Sequence, residues 1–209
     1  MPRGLGHQGS MTIDVLSALA LFALITSITP GPNNLMLMAS GANFGFARTV
    51  PHMMGITLGF MVMLLMVGFG LIRVFDAFPI IYTVLKILSL IYLIYLAYKI
   101  ATAAPVQSAD PNAKPLSFLQ AAGFQWVNPK AWAFGLSIIT IYVPSAGILP
   151  LVITALVVAV MALPSVTLWT LLGGQMARFL TNPRRLRVFN VTMAALLVAS
   201  LLPALWPAS

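Results

Sequence analysis

The chain has 209 residues, of which 60% are apolar and 7% are charged. Because soluble proteins carry about 25% charged residues, this composition excludes an ordinary soluble domain. The net charge of +8 arises from 11 Lys and Arg against 3 Asp and Glu scattered between apolar runs. Scattered cations indicate membrane topology rather than nucleic-acid binding, which would require them to cluster.

Six apolar runs bounded by proline, glycine and charge predict six transmembrane helices. They cover residues 14–41, 50–72, 79–101, 117–142, 147–173 and 188–206. Since one span needs about 20 residues, no room remains for a soluble catalytic domain. Pro51, Pro79, Pro150 and Pro183 stand at or near helix starts, where proline is tolerated, and Asn182 is a candidate cap. The long first run is either a tilted broken helix or a span followed by a surface turn.

Residues 1–10 are polar, glycine-rich and unlike the rest of the chain. They are interpreted as a tail, a vector-derived remnant or an over-extended start. A cleaved signal peptide is the alternative interpretation of the first run. No small-x-small cleavage pattern follows it, and a Pro-Gly-Pro sequence interrupts it instead. We therefore retain the first run as a span.

The distribution of cations predicts the orientation. One set of loops holds Arg48, Lys99, Lys114, Arg178, Arg184, Arg185 and Arg187, and the other holds Arg3, Arg73 and Lys86. The richer side is expected to be cytoplasmic, which places the loops at 42–49, 102–116 and 174–187 inside and both termini outside. The polar linker 102–116 separates three spans in 11–101 from three in 117–209. Since three is odd, two similar halves would form an inverted repeat.

The first run contains a helix-breaking motif. Its residues are Thr29, Pro30, Gly31, Pro32, Asn33 and Asn34. Neither proline can donate a hydrogen bond to the preceding turn, whose carbonyls at Thr26 and Ile28 are left free. In hydrocarbon such groups need protein, water or a ligand to satisfy them. The motif predicts a broken helix lining a cavity; the alternative is a prolyl kink packed against neighbours without a ligand.

The fourth run contains the counterpart, formed by Asn128, Pro129 and Lys130. From a start near Ser117, Lys130 lies on the order of 20 Å into a core about 30 Å thick. A central lysine costs about 3 kcal/mol even on lenient scales, so it is expected to face a cavity or partner. The alternative is a span shifted by a turn or two, with Lys130 at the interface. Broken helices in corresponding positions of inverted halves predict a transporter site.

The sequences ITPGPNNLMLMASGANFGF at 28–46 and FQWVNPKAWAF at 124–134 resemble those of the LysE/RhtB superfamily of bacterial amino-acid exporters. The resemblance is greatest to its cysteine and O-acetylserine exporter branch and runs from about Met11 to the C-terminus. It implies export of small amino acids or related metabolites across the cytoplasmic membrane, driven by the proton gradient. Some members place aspartate where this chain has Asn33.

Two weaker signals have alternative interpretations. His52 is a candidate proton carrier or, alternatively, an interfacial residue at a cytoplasmic helix start. The pairs Gly41/Gly45 and Gly55/Gly59 have the spacing that permits close helix approach. We expect packing within one chain, although the same spacing allows a homodimer.

The sequence therefore predicts an all-α membrane protein with broken helices 1 and 4 that transports a small zwitterionic amino acid. An intramembrane enzyme would need paired carboxylates, a Ser/His pair or metal ligands in the spans, and the sequence shows none of these. It also shows no cofactor fingerprint. A passive channel commonly uses a filter loop or a charged ring, and neither is evident in the sequence. A structural membrane subunit is the remaining alternative. We expect Lys130 to hold the solute carboxylate. The freed carbonyls of Thr26 and Ile28 and the side-chain oxygens of Asn33 and Asn34 are expected to receive its ammonium.

Overall fold

The structure is a computed structural model that describes residues 11–71, 77–78, 80–103, 114–143 and 147–199. These residues form eight α-helices and no strand. The helices are α1 (Ile13–Ile28), α2 (Pro32–Phe44), α3 (Phe46–Met66), α4 (Ile80–Ala101), α5 (Phe118–Phe124), α6 (Pro129–Tyr142), α7 (Ile148–Ala177) and α8 (Pro183–Ala199). The tail 1–10, Arg3, Arg73, Pro79, most of the 102–116 linker and the C-terminus lie outside the described residues, so their predicted roles stay predictions.

The first apolar run is a broken helix, which decides between its two interpretations. Helix α1 ends at Ile28, α2 begins at Pro32, and the two axes are bent by 58°. The break follows from the prolines, because Pro30 cannot donate within a helix and Pro32 occupies the first position of α2, where no donor is needed.

Side-chain caps set several other helix starts. Ser117 and Gln120 form a reciprocal capping box at the start of α5, as the predicted start near Ser117 requires. The Asn182 side chain accepts from the amide of Arg184 at 2.8 Å, which confirms the predicted cap of α8. That helix begins at Pro183 rather than at residue 188, because the arginines after the cap continue it.

One predicted start is wrong. Helix α3 begins at Phe46, so Pro51 lies inside it rather than at its first turn. The positive φ of Gly45, +78°, makes the turn that lets α3 start this early.

Within the described residues, fewer helices have the length and apolarity of a membrane span than the six predicted. Three helical segments are long and apolar enough to cross a membrane, namely Phe46–Leu71, Thr83–Ala101 and Ile148–Ala177, and the bent α1–α2 pair makes a fourth. The predicted fourth run is divided into α5, a 3₁₀ turn at Gln125–Val127 and α6. The sixth run continues into residues beyond the described part. Large apolar side chains cover much of the exterior, such as Ile13, Ile91 and Leu149.

Glycines bring pairs of helices into close contact within the chain. A Cβ added at Gly41 would meet the Thr170 backbone of α7, and one at Gly55 would meet the Phe118 carbonyl of α5. At Gly59 it would lie 2.5 Å from Cα of Ala122. These glycines therefore serve packing within one chain, as predicted. Gly45 is different, because no atom lies within 4 Å of a Cβ built there.

Candidate functional site

The two helix breaks face each other across the bundle. The Lys130 ammonium donates to the carbonyl oxygen of Thr29 at 2.7 Å and to its Oγ1 at 2.9 Å, and lies 3.4 Å from the carbonyl oxygen of Pro30. The side-chain amides of Asn33 and Gln125 pair reciprocally at 2.9 and 3.2 Å. These contacts join positions more than 90 residues apart in the chain, so both breaks belong to one site.

The first break is built around Gly31 and Asn34. Gly31 is the N-cap of α2 with extended backbone (φ −178°). The buried Asn34 side chain reaches back across the break, where its Nδ2 donates to the carbonyls of Ser27 at 2.7 Å and Thr29 at 2.8 Å. This amide thereby ties the start of α2 to the end of α1, and its oxygen is left to accept.

The second break is built around Asn128. Its backbone is extended after the 3₁₀ turn, and its buried side chain accepts from the Lys130 amide at 3.1 Å. Pro129 occupies the first position of α6, where its missing amide hydrogen costs nothing. The Trp132 indole donates to the Trp126 carbonyl at 2.8 Å and crosses the same break. Asn128 and Pro129 therefore fix the point from which Lys130 projects.

The carbonyls that the two prolines leave without helical donors have partners elsewhere. The Thr29 hydroxyl donates to Thr26 at 2.7 Å, and the Trp169 indole of α7 donates to Ile28 at 3.0 Å. Ser165, also on α7, donates to the carbonyl of Ser27 at 2.7 Å. Helix α7 thus takes over hydrogen bonds that the break removes from α1, which differs from the sequence expectation that Thr26 and Ile28 await a solute.

Gly31 allows Lys130 to reach the first break. A Cβ at Gly31 would lie 2.7 Å from Cδ and 3.1 Å from Nζ of Lys130. Lys130 itself is partly buried, whereas Thr29 and Pro30 are exposed. The Lys130 side chain therefore passes directly over the backbone of Gly31, and its ammonium lies at the rim of the site. Gly31 is needed here because it leaves space for Lys130, and not because its φ is unusual.

A cavity of about 70 Å³ lies between the breaks. Since one water needs about 10–15 Å³ of such space, it is large enough for several waters or for the charged end of a small solute. Its lining combines nine polar side chains with an apolar wall. Five of the polar side chains belong to the two breaks, namely Asn33, Asn34, Gln125, Asn128 and Lys130, and the others are Thr26, Ser27, Thr57 and Ser165. No Asp or Glu is among the described residues that line it.

Thr57 gives this cavity an unsatisfied polar group. Its side chain is 3% exposed, and its hydroxyl has no hydrogen-bond partner among the described residues. Leaving a buried hydroxyl unsatisfied costs about 1–3 kcal/mol. A hydrogen bond to the Thr57 hydroxyl therefore stabilises a bound solute or water.

The structure does not bring His52 to this site. His52 is 1% exposed inside α3 and lines a different cavity. The expectation of an exposed interfacial residue at a helix start is therefore wrong, because α3 begins six residues before His52.

Sequence analysis missed four residues of the site: Thr57, Gln125, Ser165 and Trp169. Gln125 lies three residues before the Asn128 cap and could have been suspected as a polar residue in an apolar run. Ser165 follows Pro164 inside α7, which is a second available signal. In the described part of the chain, no group of three or more His, Cys, Asp or Glu side chains could hold a metal ion.

Comparisons with known proteins agree on one family. Residues 24–202 match the family model described as LysE type translocator. The chain is 33% identical over 193 residues to the cysteine/O-acetylserine efflux protein of Escherichia coli strain K12, which covers 90% of this chain and 96% of the relative. The protein of that name from Salmonella typhimurium strain LT2 is 33% identical over 195 residues, with the same coverage. No solved structure matches significantly. The chain therefore belongs to the LysE type translocator family, as the motifs around the two breaks predict, and is a multi-pass membrane transporter rather than an enzyme.

Proposed function

We propose that this protein exports small neutral amino acids or related metabolites across the bacterial cytoplasmic membrane, and that the solute binds in the cavity between the two helix breaks. The observation that carries the proposal is the position of Lys130, whose ammonium stands between both breaks over Gly31. The names of the relatives support cysteine and O-acetylserine as solutes. Homoserine and threonine have the same zwitterionic group.

The solute carboxylate binds Lys130. The ammonium exchanges one of its contacts with Thr29 for a carboxylate oxygen, which forms a stronger, charge-assisted hydrogen bond. Helices α2 and α6 both begin at the breaks, and the positive ends of their dipoles favour an anionic group at this point.

The solute ammonium binds other oxygens that line the cavity. The free hydroxyl of Thr57 accepts one hydrogen bond, and the side-chain oxygens of Asn33 and Asn34 supply two more. Because no Asp or Glu lines the cavity in the described part of the chain, a second positive charge would meet Lys130 without an offsetting carboxylate. Lysine and arginine are therefore disfavoured as solutes.

The fold that presents this site is a pair of inverted three-span halves. The pattern of helix packing supports this arrangement, since α1 packs against α7 as α5 packs against α3. The pairs α3 with α7 and α4 with α8 map onto themselves when the halves are exchanged, whereas the most extensive pair, α2 with α7, has only a small counterpart between α6 and α3. In this topology the loops around Arg48, Lys114 and Arg184 are cytoplasmic.

The topology is tested by cysteine labelling. The chain has no native cysteine, so Ala113→Cys and Ser209→Cys each introduce a single thiol. Labelling from opposite sides of the membrane is expected, and labelling from the same side would contradict the topology.

Coupling to the proton gradient is part of the proposal. The chain contains three acids: Asp14 stands at the first residue of the first predicted span, and Asp76 and Asp110 lie in predicted loops. The proton must therefore move on His52, on Lys130 or with the solute itself.

Counterflow in proteoliposomes tests the function. Vesicles loaded with unlabelled O-acetylserine should accumulate the labelled compound transiently and saturably, and an imposed proton gradient should change the rate. Labelled lysine should not exchange. Unselective, non-saturable flux would instead indicate a channel, and no flux at all would contradict export of this solute.

A further inference from the structure

A second cavity, of about 100 Å³, lies between α2, α3, α4 and the segment that precedes α5. It shares no lining residue with the cavity at the helix breaks. Ser40, Asn43 and His52 line its interior, and the exposed Lys99 and Lys114 stand on its wall. With the topology proposed above, this cavity lies on the cytoplasmic side of the first one.

Most of the polar groups in its wall are paired with one another. Asn43 and Asn190 exchange side-chain hydrogen bonds at 2.9 and 3.2 Å, and the hydroxyls of Ser40 and Thr49 lie 2.9 Å apart. Asn190 also donates to the carbonyl of Ala103 at 3.2 Å. The wall is therefore a built polar surface, held in one geometry by reciprocal bonds between α2, α3 and α8.

His52 is the exception to this pairing. It is 1% exposed, and neither ring nitrogen has a hydrogen-bond partner among the described residues. Because an unsatisfied buried polar group costs about 1–3 kcal/mol, the imidazole gains from any occupant of the cavity that can both donate and accept. His52 lines the second cavity, which has space for such an occupant.

An apolar cluster lies against the wall of the first cavity. Leu37, Met53, Ile56, Ala121 and Val166 pack together, each at most 7% exposed. Ile56 and Val166 also form part of the wall of the first cavity. Because the two cavities have no lining residue in common, a solute in one cavity does not contact the residues that line the other.

We propose that the second cavity is a separate solute-binding site that takes small zwitterionic molecules through their carboxylate. Lys99 and Lys114 attract the carboxylate at the wall, and His52 and the Ser40 hydroxyl form hydrogen bonds to the solute's polar groups. The Lys99 ammonium also makes a cation–π contact, 5.5 Å from the centroid of the Tyr95 ring. The identity of the solute rests on the proposed function, whereas the presence of the site does not.

The site is tested by protection of introduced thiols in a chain that has none of its own. Ser40→Cys places a thiol in the second cavity, and Ser165→Cys places one in the first. Each is combined with the native Lys130 and with Lys130→Met. The measurement is the rate of modification in membranes by anionic and cationic methanethiosulfonates of similar size, with and without saturating O-acetylserine.

The anionic reagent should modify Ser40→Cys about tenfold faster than the cationic one, because a cavity lined by one sign of charge concentrates counter-ions. Replacing both Lys99 and Lys114 with Gln should reduce this preference several-fold. O-acetylserine should slow modification at Ser40→Cys at least fivefold whether or not Lys130 is replaced. It should slow modification at Ser165→Cys only when Lys130 is present.

Several outcomes separate the two proposals. If O-acetylserine does not slow modification at Ser40→Cys, the cavity holds water alone and the second site is refuted. Loss of protection at both positions on Lys130→Met would also refute it, since that result requires a single site. Protection at Ser40→Cys but not at Ser165→Cys supports the second site and contradicts the proposed site between the breaks. Ala39→Cys, in the same cavity, must behave like Ser40→Cys and replaces it if Ser40→Cys does not insert.

Discussion

Replacing Lys130 with Met removes the positive charge between the breaks while preserving the length of the side chain. The ammonium has three oxygen contacts, two with Thr29 and one with Pro30. Removing a charged side chain from an apolar run also lowers the cost of inserting that run by about 3 kcal/mol, which offsets the lost hydrogen bonds. The protein should insert and fold normally.

The effect on the solute is larger. A hydrogen bond to a charged group contributes about 1.5–3 kcal/mol, and every 1.4 kcal/mol is a tenfold change in affinity. Loss of the contact between Lys130 and the carboxylate therefore predicts an affinity about 10 to 150 times weaker. At solute concentrations well below half-saturation, efflux should fall by about the same factor.

The assay is efflux of labelled O-acetylserine from loaded proteoliposomes, with the amount of inserted protein measured in each preparation. Arg185→Met is a matched control, because it removes one exposed cation at the start of α8, away from both cavities. The control should retain the unsubstituted rate. If Lys130→Met also exported O-acetylserine at that rate over a range of concentrations, Lys130 would not hold the carboxylate.

Three further substitutions test the geometry. Gly31→Ala should reduce transport at least tenfold without unfolding the protein, because the added Cβ would displace the flexible side chain of Lys130. Efflux and thermal unfolding are measured together, and a normal efflux rate would contradict the close contact between Gly31 and Lys130. Asn33→Ala and Gln125→Ala should show a coupling of about 0.5–3 kcal/mol in a double-mutant cycle on solute affinity, whereas simple additivity would show that their amide pair is irrelevant to binding. Gly173→Ala should destabilise the protein by about 1–3 kcal/mol, because its Cβ would meet the Met38 backbone, while Gly174→Ala, whose nearest atom is 3.9 Å away, should not; equal unfolding temperatures for the two would refute this packing.

The sequence was sufficient to predict the two breaks and the residues on them. Pro30, Pro32 and Pro129 act within a few residues of their own positions, so local chemistry determines where α2 and α6 begin. A lysine far inside an apolar run requires a partner or cavity, which identified Lys130. These signals need no knowledge of how distant segments pack.

The partners of these residues could not be predicted in the same way. Gln125 pairs with Asn33 and Trp169 reaches Ile28 only because α1, α5 and α7 meet in the fold. Nothing within the break motif shows that α7 supplies these donors. The burial of His52 was missed for a related reason, since the start of α3 depends on the turn at Gly45 and not on Pro51.

The central claim is that the carboxylate of the solute binds the Lys130 ammonium between the two breaks. Solid-state NMR with ¹⁵N-labelled lysine side chains and O-acetylserine carrying a ¹³C carboxyl group measures this contact directly. A charge-assisted hydrogen bond predicts a nitrogen to carboxyl-carbon distance of within about 4 Å, and this coupling should disappear in Lys130→Met. If Lys130→Met left every coupling between lysine and the solute carboxyl unchanged, the solute would bind elsewhere and the account would be contradicted.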